Sequence, residues 1–382
     1  MTQVAIMIEN SRAYGRTLIE GIAAYAQDNY AWLLRPIAAD EALSANLRKY
    51  DGIIARIADE RLAQRILESG RPAVDVFCQE PRIGLAGVDS DHRQIGVKAR
   101  EFFTSRGFSN FAYCGFPGTA FSDAREKAYS DGSTHVYSPR RRLTSDASQF
   151  YDERIDRIQD ARPLARWLKT LPKPTAVFCC NDLRAIQLQR IALDGGLRVP
   201  EDLAILGVDN DTIACSFAEV PISSINPNSF EIGRAAARIL GAMMTKRPVQ
   251  KLHRVHYVKP GEIIERTSTE FMPINPPWLG QALLHIEKNI HRPIPASEVF
   301  ALSRRSSTFV ENVFKTKLGM PVQAYITSVK MREARRLIAN PNLRISEIAC
   351  LCGFTSPQYF CRTFTATFGV NPRAYRVRIP TA

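Results

Sequence analysis

Apolar residues recur at i, i+4 and i+8 in two stretches of the chain set fifty residues apart. Ser306, Val310, Phe314, Leu318, Gly319 and Tyr325 are answered by Ser356, Phe360, Phe364, Phe368, Gly369 and Tyr375. One apolar stripe per stretch predicts a helix anchored on one side to a core. Each Ser is placed to cap a helix N-terminus and each Gly to end the helix in left-handed backbone. Pro357 falls at a first helical position, where its missing N–H costs nothing. The opposite face carries Thr308, Glu311, Asn312 and Lys315 in the first copy, and Gln358, Cys361, Arg362 and Thr365 in the second. A shorter helix and a tight turn precede each copy. The pair therefore reads as two helix-turn-helix units whose polar stripes enter the major groove of double-stranded DNA.

The first 260 residues follow another rhythm. Short β-branched runs at 3–8, 52–55, 73–77, 110–114, 134–137, 175–179, 203–208 and 222–225 predict strands. Helical patterns lie between them at 16–26, 61–67, 92–105, 182–193 and 231–244. Such alternation predicts parallel sheets covered by helices, with ligands at the carboxyl ends of the strands. The loops there, 10–14, 115–125, 181–182 and 209–211, are rich in amides, carboxylates, hydroxyls and an aromatic ring. Those groups suit a polyol: the polar ones bond vicinal hydroxyls and the ring covers a C–H face. Between the two regions, Thr267-Ser268-Thr269, Pro273, Pro276 and Pro277 predict an extended, semi-rigid linker able to transmit rotation better than a Gly/Ser chain.

Charge sharpens the division. The chain of 382 residues carries +13, yet residues 280–382 hold 15 Lys and Arg against 5 Glu and no Asp. That leaves +10 in this segment and only +3 in the first 279 residues. A basic segment is the footprint of phosphate contact, although a solvated basic bundle would share it. The eight cysteines form no CxxC pair, which argues for reduced, buried thiols in a cytoplasmic protein. His253 and His256 form an HxxH pair with no third ligand nearby, so no metal is expected, and no cofactor. No apolar run approaches a membrane span or a signal core. The Arg140-Arg141-Arg142 run reads as a solvated loop.

Ile345-Ser-Glu-Ile-Ala349, Gly353-Phe354, Ser356, Tyr359-Phe360, Arg362, Phe364, Gly369, Pro372 and Tyr375-Arg376 resemble the signature of AraC-type transcriptional regulators. The first copy departs from it, with Thr308 and Asn312 where family members often have Arg. The resemblance implies seven helices, a long one, Gln323 to Ala339, joining the two units before Asn340-Pro341. Upstream, Pro174-Thr-Ala-Val-Phe-Cys-Cys-Asn181-Asp182, Gly196-Leu-Arg-Val-Pro200 and Gly207-Val-Asp209 resemble the effector core of the LacI and periplasmic-sugar-binding superfamily. Asp89-Ser90-Asp91 and Phe230-Glu-Ile-Gly233-Arg234 fit the same pattern. A shortened helix after Arg125, ending at Ser130-Asp-Gly, departs from it. The order of the two parts is similar to that of regulators of bacterial pentose operons. It implies a two-lobed α/β sugar-effector domain at 1–265, a linker at 266–279 and a double helix-turn-helix domain at 280–382. The expected partners are DNA, a monosaccharide such as D-xylose or another pentose, RNA polymerase and a second copy in a homodimer.

For the sugar, the candidates are Asn10, Tyr14, Phe121, Arg125, Asn181 and Asp209. Asp209 ends an apolar strand, where it either meets ligand or caps the next turn. Arg125 either forks onto sugar oxygens or pairs with a carboxylate; Asn181 either binds ligand or only caps a helix. For DNA, the candidates are Thr308, Glu311, Asn312, Gln358, Cys361 and Arg362, each alternatively solvent-exposed or phosphate-facing. A sugar-modifying enzyme using Asp209 and Asp211 as acid and base is the competing class, but no nucleophile–base pairing or phosphate-cradling loop supports it. DNA affinity is expected to reside in 280–382 and to fall steeply with salt. Titrating that segment against duplex DNA at two salt concentrations checks this, and absence of binding at low salt overturns it.

Overall fold

The computed structural model describes residues 2–58, 60–78, 85–137, 160–245 and 255–378; the Arg140-Arg141-Arg142 run and His253 lie outside them. The chain divides into two units, Met1–Glu270 and Phe271–Ala382.

Two six-stranded sheets form the first unit. One runs in the order Val255–Val258, Ala86–Ser90, Ala73–Asp75, Gly52–Ala55, Thr2–Met7, Trp32–Pro36, with every neighbour parallel. The other runs Ile263–Ile264, Ser223–Ile225, Leu203–Val208, Thr175–Cys179, Phe111–Cys114, His135–Val136 and is parallel except at its Ile263–Ile264 edge. Central strands such as Gly52–Ala55, Thr175–Cys179 and Leu203–Val208 are buried throughout. Helices cover both faces of a parallel sheet, which is why these strands read as continuous apolar runs rather than alternating ones. The chain passes from the first sheet to the second after Ser90, returns after Ile225 and crosses again after Val258, so each lobe holds segments from distant parts of the sequence.

Helix Ser229–Met244 returns to the first lobe and lies against helix Ala13–Asn29. The two backbones meet at glycines: a Cβ on Gly21 would strike the Phe230 carbonyl, and one on Gly233 the Leu18 carbonyl. Helix Ala120–Tyr129 stops at Ser130, as the sequence suggests. In the second lobe Arg184, 1% exposed, forks onto Asp160 through Nη2–Oδ2 at 2.6 Å and Nη1–Oδ1 at 3.1 Å.

Seven helices make up the described part of the second unit: Pro277–Lys288, Ala296–Ser303, Ser307–Leu318, Val322–Leu337, Ile345–Leu351, Pro357–Phe368 and Pro372–Arg378. Much of segment 266–279 is built into the units. Ser268 and Thr269 are buried, Ser268 through bonds to the Ser223 N–H and the Ile205 carbonyl, and Met272 and Leu279 join the core of the second unit. Apolar residues among the prolines give that segment surface to bury, which proline spacing alone does not reveal.

The buried fork of the second lobe generates a stability prediction. Asp160→Ala leaves the Arg184 charge buried without its partner and should cost roughly 3–5 kcal/mol in urea unfolding. A loss below about 1 kcal/mol, the range of a surface pair, would show that water reaches Arg184 instead.

Candidate functional site

A cavity of about 380 Å³ opens between the two lobes of the first unit. Its polar groups stand at strand and helix ends. Asp89 closes strand Ala86–Ser90 in one lobe, and Asp209 follows strand Leu203–Val208 in the other. Asp209 takes φ 113 and Asn210 φ 48, a left-handed corner that non-glycine residues rarely adopt. Hydrogen bonds fix it: the Asp209 N–H donates to the Ile225 carbonyl at 3.1 Å, the Asn210 N–H to Ser224 Oγ at 2.9 Å and the Asp211 N–H to Asp182 Oδ2 at 2.9 Å. Strain held in this way by surrounding bonds is common where a side chain must be aimed at a ligand.

Arg125, 3% exposed, enters from helix Ala120–Tyr129. Its Nη1 donates to the Cys180 carbonyl and its Nη2 lies 3.3 Å from His92 Nδ1, while Nε has no hydrogen-bond partner. His92 Nε2 lies 3.4 Å from Asp89 Oδ2. Burial, the largest cause, lowers the His92 pKa despite the bond to Asp89. A neutral imidazole then accepts from Arg125 at Nδ1 and donates to Asp89 from Nε2, tying the two charged groups together across the ring. The Asp209 pKa is raised to about 6 by withdrawal from water, the largest cause; Arg125, Arg12 and Arg56 pull it down and Asp211 pushes it up. Asp182, fully enclosed, is raised to about 8 by burial and then by the charge of Asp209. Phe77 and Phe121 line the same space, with the Arg56 guanidinium 3.6 Å from the Phe77 ring centre and that of Arg125 5.1 Å from the Phe121 ring centre.

Of the six residues proposed from the sequence, Tyr14, Phe121, Arg125, Asn181 and Asp209 line the cavity. Asn10 does not: it is exposed, and its carbonyl accepts from Arg16 at 3.3 Å. Asn181 Oδ1 accepts from the Arg184 N–H at 2.9 Å, so one of its side-chain atoms is committed to capping helix Asp182–Asp194. Sequence reasoning missed Arg56, Phe77, Asp89 and His92 as lining groups. Asp89 and His92 stand inside and beside the Asp89-Ser90-Asp91 motif, which was the available signal; Arg56 and Phe77 follow the carboxyl ends of strands Gly52–Ala55 and Ala73–Asp75, and that placement was theirs.

In the second unit the two duplicated helices match in burial position by position. Val310 and Phe314, like Phe360 and Phe364, are wholly buried, and Ser306 and Ser356 accept from the N–H groups of Phe309 and Tyr359 at 3.3 Å. Gly319 and Gly369 both close their helices at φ 74. Thr308, Asn312, Gln358 and Arg362 are exposed. Glu311 and Cys361 are only half-exposed, and Glu311 Oε2 accepts from the Val322 N–H at 3.1 Å, capping the next helix. Glu311 therefore has a structural partner within the unit. The duplication supplies the reason. Pro321 precedes Val322 and offers no capping side chain, so Glu311 supplies the acceptor. In the second copy Pro372 stands where Val322 does and has no N–H to satisfy, while Asn371 Oδ1 accepts from the Ala374 N–H at 2.8 Å, so Cys361 is not needed for capping.

Three comparisons bear on this arrangement. A periplasmic binding protein-like domain family matches residues 101–269, and a helix-turn-helix domain family matches residues 297–378. The chain is 26% identical over 387 residues to the xylose operon regulatory protein of Escherichia coli strain K12, covering 98% of this chain and 96% of that protein. It is 24% identical over 392 residues to the xylose operon regulatory protein of Haemophilus influenzae, covering 98% of each. Among solved structures, that of a xylose-binding transcription activator superposes with a TM-score of 0.59 at 25% identity, over 98% of this chain and 97% of that one. A LacI family regulator from Enterococcus faecium with bound ribose shares the fold of the first unit, with a TM-score of 0.53 at 18% identity over 70% of this chain and 98% of that one.

Exchange of capping roles between the two copies is testable. Glu311→Ala and Asn371→Ala should each cost roughly 0.5–2 kcal/mol in stability, as lost helix caps do. Cys361→Ala, at the position equivalent to Glu311, should cost less than either. Denaturant unfolding of the three variants measures this, and a cost for Cys361→Ala equal to that of Glu311→Ala removes the distinction.

Proposed function

We propose that this chain is an AraC-type transcription regulator with a periplasmic-binding-protein-like effector domain, and that it activates a pentose catabolic operon when D-xylose, or a close relative of it, binds between the two lobes. It is a sugar-responsive, DNA-binding regulator. The observation that carries the sugar reading is the convergence of Arg125, Asp209 and Asp89 on one cavity whose walls include Phe77 and Phe121. Carboxylates accept from vicinal hydroxyls, the guanidinium donates to the oxygens, and Phe77 and Phe121 cover the apolar edges of the ring. Few polar groups converging in an apolar-walled cleft give orientation and selectivity together. Tyr14 and Asn181 complete the lining. Xylose in particular is supported by the full-length relatives named for the xylose operon and by the likeness to a xylose-binding activator.

For DNA, Thr308 and Asn312 from one unit and Gln358 and Arg362 from the other are the base-reading side chains. Arg can bond guanine in a bidentate manner and Gln can do so with adenine. The protein acts in the cytoplasm as a homodimer that places its double helix-turn-helix domains on repeated half-sites and engages RNA polymerase there. Sugar acts by favouring a closed arrangement of the lobes, and only as far as it prefers that state. DNA and sugar must then strengthen each other's binding by one common factor.

Calorimetry with a panel of monosaccharides tests the reading. A pentose should bind, and Asp209→Asn, which keeps the shape but removes the charge, should weaken it about tenfold or more. Ionised Asp209 is the form that accepts from sugar hydroxyls. Wild-type affinity should therefore hold above pH 7 and fall as pH drops through about 6, with protons released on binding near that pH. The fall should be lost in Asp209→Asn. Failure of every monosaccharide to bind overturns the sugar reading, and unchanged affinity in the variant removes Asp209 from the site.

A further inference from the structure

Helix Val322–Leu337 serves two cores. Val322, Ile326 and Val329 pack with the first helix-turn-helix half, whereas Met331, Ala334 and Ile338 pack with the second. Lys330 stands between Val329 and Met331, where the helix passes from one core to the other, and it is only 6% exposed. Its Nζ donates to the Arg292 carbonyl and to the Gly353 carbonyl, both at 2.8 Å, and lies 5.4 Å from the centre of the Phe354 ring.

The two carbonyls come from opposite halves. Arg292 lies in the loop between helices Pro277–Lys288 and Ala296–Ser303, while Gly353 forms the turn ahead of helix Pro357–Phe368. Loop and turn also touch directly. Gly353 sits at φ 64 with its α-carbon against the Arg292 backbone, so that a Cβ there would collide with it. Arg292 is itself held: its Nη1 and Nη2 donate to Glu298 at 3.0 and 2.8 Å, and its Nε to Asn289 Oδ1 at 3.0 Å. His285 Nε2 lies 3.1 Å from the same Glu298.

A buried ammonium is costly unless its donors are engaged, and an apolar residue of like size is often the more stable choice in such a place. The two cores consist of apolar side chains on either side of Lys330. What Lys330 adds is a link between backbone groups that no apolar side chain can hold. We propose that Lys330 is the strut that fixes the angle and spacing between helices Ser307–Leu318 and Pro357–Phe368, so that the two units read DNA as one bipartite reader. Lys330 touches no base in this scheme; it is a positioning residue. The inference rests on the DNA-binding reading above.

Two helices that enter successive major grooves must stand about one helical turn, roughly 34 Å, apart and in the right rotational phase. The gain from joining two readers depends on that geometry being held, and it is lost when the joint is free. A loosened joint leaves each unit able to bind its own half of the site.

The test uses the full chain. Wild-type protein first selects a duplex from a random library. That duplex is then remade with either half randomised, and with one or two base pairs inserted between the halves. Lys330→Met keeps an unbranched apolar stem and removes the donors. Its affinity for each half-only duplex should stay within about twofold of wild type, whereas the gain from having both halves should fall by about tenfold or more. The penalty for inserted base pairs should shrink as well. Gly353→Ala, which pushes the Arg292 loop away from the other side, should show the same pattern, and it decides the matter if Lys330→Met does not fold. Thermal unfolding is followed for each variant. A purely structural role would weaken binding to all duplexes in parallel with loss of stability, and that result overturns the proposal. An unchanged bipartite gain with an unchanged insertion penalty overturns it too. If wild-type protein selects no duplex at all, the DNA-binding reading fails and this inference fails with it; selection followed by an unchanged gain rejects this inference alone.

Discussion

The cleft depends on cations placed among carboxylates, Arg125 foremost, with Arg12 and Arg56 beside it. Asp89 ends a strand of one lobe and Asp209 follows a strand of the other, and both lie away from bulk water at the cavity. Two carboxylates facing a shared low-dielectric space repel unless a positive group stands among them. Arg125 meets that requirement from the second lobe, reaching Asp89 through His92 and pulling the Asp209 pKa down against the effect of burial. The anchoring of its Nη1 on the Cys180 carbonyl explains why the guanidinium stays in place. Neutral His92 matters for the same reason: a protonated ring would present a second cation to Arg125 at 3.3 Å and break the relay.

The second unit solves a different problem, which is how two copies of one motif share a single connecting helix. Each copy needs its own core and its own helix caps. The cores are supplied by opposite ends of helix Val322–Leu337. The caps are supplied by whichever residue the local sequence allows, Glu311 for the Val322 N–H behind Pro321, and Asn371 for the Ala374 N–H where Pro372 leaves no N–H at the first position. Duplication thus preserved the apolar stripe and the exposed face more strictly than the residues that stitch each helix to the next. Position on the stripe says that a side chain is polar and near the surface, but not whether a neighbouring N–H has already claimed it.

Much of this protein was legible from the order of its residues. The spacing of Ser306, Val310, Phe314 and Gly319 and their counterparts specified two capped helices, because a helix repeats every 3.6 residues and its ends have fixed chemical needs. Runs such as 52–55, 175–179 and 203–208 were visible as strands because a sheet buried on both faces demands continuous apolar sequence. Strands Trp32–Pro36, Ala86–Ser90 and Ile263–Ile264 were not among the strands read from the sequence, nor were helices Ala161–Thr170 and Thr212–Phe217 among the helices. Ala86–Ser90 carries Gly87, Asp89 and Ser90, poor strand formers that are held in the sheet by Ala73–Asp75 and Val255–Val258 on either side.

Strand ends at Asp209 and Asn181 could be placed at the crevice from the sequence, because in a parallel α/β sheet the carboxyl ends of strands face it. Which groups meet there was decided only in three dimensions. Arg56, Phe77, Asp89 and His92 meet Arg125 and Asp209 because the chain crosses between the lobes three times and brings strand ends of both sheets to one surface. Asn10 falls outside it because a loop side chain one or two residues from a lining position can turn to solvent without any mark in the sequence. Local order determined the elements and their faces, since those follow from short-range periodicity and capping. Tertiary structure alone decided which charges neutralise each other and which polar groups remain free to bind, since those depend on contacts between segments far apart in the chain.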